Sequence, residues 1–88
     1  MDAMITDKLG NKLSVGDFVA YGVRVGNRGA LHIGRVEEAR DRLVVVPINR
    51  GDWDRGKPKK GRRSTLSYPE QRVAKITLVP QEYLDLFN

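Results

Sequence analysis

Leu43-Val44-Val45-Val46-Pro47-Ile48 is the stretch that decides the fold class. Its run of consecutive β-favouring residues, without polar alternation, predicts a strand buried on both faces. Working back from it, Glu38 to Arg42 is a polar connection, and Ala30 to Glu37 reads as a strand with Leu31 and Ile33 on one face and His32, Gly34 and Val36 on the other. Gly34 in mid-strand predicts a bend or a close backbone approach. Arg24 to Gly29 reads as a loop tip. Before it, Asp17 to Val23 alternates Val19, Tyr21 and Val23 against Phe18, Ala20 and Gly22. Met4-Ile5-Thr6 is a candidate first strand that turns through Leu9-Gly10-Asn11-Lys12.

Working forward, residues 49–63 form a long loop rich in glycine and charge. Ser64 to Tyr68 alternates like a short strand, and Pro69 ends it because proline cannot extend a ladder. Arg72 to Leu78 is the last strand. After Pro80, Tyr83, Leu84 and Phe87 stand at helical spacing, so a short closing turn of helix is expected. Nine glycines in 88 residues cut the chain too often for long helices. The expected fold is mainly β: a small five- to six-stranded antiparallel barrel with a short C-terminal helical turn, closed because free edges are a liability in so small a sheet. The main alternative is an α+β fold with a full C-terminal helix.

Leu13-Ser14-Val15-Gly16-Asp17-Phe18-Val19-Ala20-Tyr21 resembles the opening of SH3-like small barrels, including the KOW and Tudor-like groups, in which an apolar residue, Gly-Asp, an arbitrary residue and Val begin the first long strand. Ile33-Gly34-Arg35-Val36 resembles their second strand and Val44-Val45-Val46 their third. The resemblance implies an SH3-like barrel. It leaves function open, because such barrels bind nucleic acid, peptides and other proteins alike. A compact basic chain with an elaborated loop also resembles many small phage-encoded proteins.

Composition narrows the function classes. At 88 residues there is one domain, 1–88, and 40% apolar residues suffice for a core. With no cysteine and one histidine, disulfide scaffolds, thiol nucleophiles, Cys-based zinc sites and multi-His metal sites are excluded. No metal or other cofactor is expected. The longest apolar stretch is far shorter than the roughly 20 residues a membrane span needs, and no basic-then-apolar leader opens the chain, so a cytosolic protein is expected.

The formal charge is +5, and it is localised. Residues 49–63 carry seven basic side chains against Asp52 and Asp54, whereas the remainder carries nine of each sign. Arg55, Lys57, Lys59, Lys60, Arg62 and Arg63 are therefore the candidate nucleic-acid-binding residues, with the arginines suited to bidentate phosphate contacts and the lysines acting as point charges. Arg24 and Arg28 extend this set if their loop lies on the same side. Trp53 and Tyr68 are candidate stacking residues or partner anchors; the usual burial of tryptophan makes a plug over one end of the barrel the alternative for Trp53. The bland reading of the charge run is a loop kept polar for solubility.

Catalysis is not expected. His32 has no evident acid partner, Glu37 and Glu38 are adjacent and so face opposite ways along a strand, and Ser64, Thr65 and Ser67 have no histidine–acid constellation. Two kinds of partner fit: a nucleic acid, DNA or RNA, gripped by the basic loop, or an acidic or apolar protein surface docked by Trp53, Tyr68 and Tyr83. A self-associating structural subunit is a third possibility.

Overall fold

A computed structural model describes residues 5–25, 28–50 and 58–87. Three long strands make an antiparallel meander: β1 (Phe18–Val25), β2 (Arg28–Ala39) and β3 (Leu43–Arg50). Two three-residue strands follow, β4 (Pro58–Lys60) and β5 (Ser64–Leu66). A single helical turn, α1 (Pro69–Arg72), leads into β6 (Val73–Ile76), and α2 (Gln81–Asp85) closes the chain. The hydrogen-bonded order is β4-β3-β2-β1-β6, with β5 also pairing β3.

The turn before β1 is what the Gly-Asp pair demands. Asp17 N–H donates to the Ser14 carbonyl, and Gly16 takes φ +98°, the third position of a turn that requires positive φ. The Asp17 carboxylate then accepts from Ser14 N–H at 2.8 Å. From Phe18 the pattern of alternation is realised. Val19 and Tyr21 face the main core with Leu13, Val36, Leu43, Val45, Leu66 and Val73. Phe18, Ile33, Ile48 and Ile76 face the other way, where Tyr83 and Leu84 of α2 and Phe87 just after it cover them. β3, central and apolar, is buried on both faces throughout Leu43–Ile48. Gly34 lies where β2 crosses Tyr21: an added Cβ would meet the Val46 carbonyl oxygen at 3.1 Å and the Tyr21 ring at 3.3 Å. His32 stands opposite Tyr21, ring edge to face at 5.9 Å.

The antiparallel β architecture is the expected one, but closure of the barrel is not found: among the described residues no pairing joins β6 to β4 or β5. Two causes are visible. Pro69 and the α1 turn stand between β5 and β6, and the free edge of β6 is already occupied by the segment before β1. Lys8 N–H donates to the Val73 carbonyl at 2.7 Å, and Lys75 N–H donates to the Asp7 carboxylate at 2.7 Å. That segment turns on itself through a bridge between Thr6 and Lys12, with Gly10 at φ +85°.

Three further expectations are corrected. The loop tip at Arg24–Gly29 is shorter, because β1 and β2 stay paired out to Val25 opposite Arg28. The 49–63 segment is not all loop, since Pro58–Lys60 pairs with Ile48–Arg50. The last strand stops at Ile76 rather than Leu78, whose side chain is almost wholly exposed.

Candidate nucleic-acid interface

The geometry of the basic segment follows from Pro47. Proline has no N–H to donate. The Pro47 carbonyl accepts from Gly61 N–H at 2.7 Å, which places the donor-less nitrogen of Pro47 towards the same neighbour. β4 pairs with Ile48–Arg50 and β5 with Leu43–Val45, so the two are one edge strand interrupted opposite Val46 and Pro47. Three residues, Gly61, Arg62 and Arg63, span two on β3, which makes the interruption a β-bulge. Lys59 and Lys60 thus precede a bulge that re-aims Arg62 and Arg63, and all four side chains are exposed. Among the described residues no strand pairs the outer side of this edge.

The four cations are not equivalent. Lys60 stands opposite Ile48 on the α2-covered face, where its Nζ lies 5.5 Å from the centre of the Phe87 ring; the Arg35 guanidinium lies 5.1 Å from the same centre. Lys59, one residue before it, projects to the opposite face. Arg63 Nε donates to Glu37 Oε2 at 2.7 Å. Glu37 is itself the extra residue of a bulge in β2, between Val36 and Glu38. The ion pair therefore reaches across β3 from one bulge to the other, over Val44 and Val46, which are buried although they face away from the main core. Arg42 pairs with Glu38 alongside, at 3.1 Å. Arg62 is exposed at the bulge, before Ser64, whose hydroxyl donates to the Arg62 carbonyl.

Arg55, Lys57 and Trp53 lie outside the described residues. Arg24 and Arg28 fall at the far ends of β1 and β2, with their side chains outside the description. Tyr68 is 65% exposed and holds φ +55°, an uncommon backbone for a bulky residue, as the cap of α1. It lines a groove of about 500 Å³ with Ile5, Leu43, Leu66 and Pro69, among others. This groove shares Arg42 and Thr65 with a smaller hollow that Arg63 lines, so Tyr68 and the bulge belong to one continuous surface. Among the described residues no group of three or more His, Asp or Glu could hold a metal ion, and no helix is long and apolar enough to cross a membrane.

A family model described as a domain of unknown function, DUF7205, matches residues 5–76. The chain belongs to this family. No curated protein and no solved structure matches it. The DUF7205 match takes in all six strands and ends with β6, leaving α2 and the segment before it outside.

Sequence reading of this DUF7205 chain missed two groups that shape the surface. Adjacency places Glu37 and Glu38 on opposite faces of a regular strand, but the bulge cancels that alternation and turns Glu37 towards Arg63. Asp7, which belongs to none of the candidate sites, is only 2% exposed. Its carboxylate accepts from the backbone N–H groups of Leu9, Asn11 and Lys75 and from the Asn11 amide. Burial alone would raise its pKa, yet those donors, Lys75 first, outweigh burial and hold it below the ordinary aspartate value. An aspartate followed three residues later by Gly-Asn is the only local signal of this turn.

Proposed function

We propose that this chain is a non-enzymatic binding module that acts in the cytosol and grips the phosphate backbone of a nucleic acid along its bulged edge. The observation that carries the reading is the exposure of Lys59, Lys60, Arg62 and Arg63 within five residues on a strand edge that no other strand pairs among the described residues. The Arg63–Glu37 pair does not remove Arg63 from this set. Both partners are partly exposed, and such pairs are worth no more than about 1 kcal/mol, so a phosphate can displace the carboxylate. The Gly16-Asp17 turn and the three-strand meander support the SH3-like likeness, which is compatible with this use.

The test is duplex affinity as a function of salt. With four phosphates neutralised, the log–log slope is about −3.6. Changing Lys59, Lys60, Arg62 and Arg63 together to alanine should flatten that slope and weaken binding to all sequences alike while the fold survives. Unaltered affinity in a folded quadruple variant rejects the proposal.

One observation favours a second reading, a protein-interaction module. Tyr68 presents its ring beside the groove over Leu43 and Leu66 from a backbone conformation that costs energy to hold. Under that reading Tyr68→Ala abolishes capture of an acidic partner, and the quadruple alanine variant only slows it.

A further inference from the structure

The second apolar face of the sheet is covered by the chain's own last residues, and the cover is slight. α2 is five residues long and has no side-chain cap at its N-terminus. Isolated helices of that length do not persist in water, so α2 exists only through packing. It hangs on residues 77–80, in which Leu78 is 94% exposed. Its own contribution to the buried cluster, Tyr83, and the residues beneath, Phe18 and Ile48, are 6–9% exposed, whereas Val19, Val36 and Val45 at the heart of the main core are fully buried. The DUF7205 match stops at Ile76, so the face belongs to the family domain and its cover lies beyond it.

What the cover places on that face is informative. Phe87 stands edge to face on Phe18, with ring centres 5.8 Å apart, and the same ring is approached by Arg35 and Lys60. With Phe87 withdrawn, Phe18 is left as an aromatic floor with Arg35 as its cross-strand partner and Lys60 beside the emptied slot, an arrangement suited to stack an unpaired base and to hold its phosphates by charge. Lys60 joins this platform directly to the bulged edge, because it is the last residue of β4 before Gly61.

We infer that Phe18, Arg35 and Lys60 form a stacking site for an unpaired nucleic-acid base, and that Phe87 occupies it in the free protein. The inference rests on the nucleic-acid reading above and adds to it a strand preference and a self-occupied state. Single strands must displace Phe87 to reach the site, whereas duplex, gripped by its backbone alone, need not.

The experiment measures binding of a fluorescent twelve-nucleotide uridine strand and of a duplex of equal length, at matched salt, to the wild type, Phe87→Ala and Phe87→Leu. Removing the competing ring should tighten single-strand binding roughly tenfold and leave duplex binding unchanged, given what one stacked base contributes. Phe87→Leu keeps an apolar cover but gives up the ring, so it reports the same gain in smaller measure if the alanine variant does not fold. A peptide of residues 77–88, added to the Phe87→Ala protein, should compete with the single strand and spare the duplex. If both folded variants bind the single strand no tighter than the wild type while duplex binding persists, the stacking site is refuted and the edge reading stands. If no variant binds either nucleic acid, both fall. A gain for acidic peptide in place of the uridine strand also refutes the site as a base-stacking one.

Discussion

At the scale of single residues, Asp7 and Gly16-Asp17 do similar work with opposite legibility. Asp17 accepts from Ser14, three positions away, and Gly16 supplies the positive φ between them, so the whole device lies within a window that sequence alone exposes. Asp7 answers to Lys75, whose N–H lies 68 residues further along the chain, and no local pattern announces that contact. Its energetic consequence is definite. Asp7→Asn substitutes an amide that brings its own N–H groups towards backbone donors, and loss of bonds to a buried charge should cost about 2–3 kcal/mol. The pH dependence has a fixed sign. A carboxyl whose folded pKa lies below its unfolded value contributes stability that is complete above the unfolded pKa, near 3.8, and is lost as pH falls through the lower folded value. Urea denaturation at pH 7 and at pH 3 should therefore show wild-type stability falling between the two while Asp7→Asn, already weakened, falls less. Equal acid losses in the two proteins would mean that Asp7 is not held ionised by these donors.

At the scale of elements, β3 is readable because nothing competes with six apolar residues in a row, and it contributes to both apolar clusters, Leu43 and Val45 to one and Ile48 to the other. β4 was not readable. Pro58, Lys59 and Lys60 have no β preference, and only the unpaired backbone of Ile48–Arg50 makes a strand of them, a case of tertiary pairing overriding local tendency. The two bulges were hidden for a related reason: a one-residue shift in register is a property of two strands, and neither sequence carries it alone. Together the bulges set the Arg63–Glu37 pair, and that pair tunes the edge. Under the proposed phosphate-gripping reading, Glu37→Gln removes the carboxylate that a phosphate would displace. The variant should lose no more than about 1 kcal/mol of stability, as exposed pairs generally do. It should bind duplex several-fold more tightly at low salt, with the advantage vanishing as salt rises. Affinity titrations at two ionic strengths decide this; unchanged affinity would show that Glu37 does not compete for Arg63.

At the scale of the whole molecule, an open sheet has two edges, and this chain treats them differently. The β4–β5 edge carries lysine and arginine, which resist pairing with another strand. The β6 edge has a single lysine, Lys75, and its ammonium lies 3.6 Å from the Asp17 carboxylate. It is sealed instead by the segment before β1, through Lys8 N–H on the Val73 carbonyl and Lys75 N–H on Asp7. Deleting residues 1–12 removes that seal and leaves the Lys75 N–H and the Val73 carbonyl facing outwards at the end of a half-buried strand. Such groups must be satisfied by water or by another strand. The expected result is a protein that still shows β structure but melts at lower temperature and self-associates, β6 against β6, with sedimentation that depends on concentration where the full chain sediments as a single species. The quadruple alanine change at the other edge should leave β6 sealed and so should not reproduce this behaviour. A truncated protein that remains monomeric at every concentration would mean that the segment contributes packing beside Leu13 and not protection of an edge.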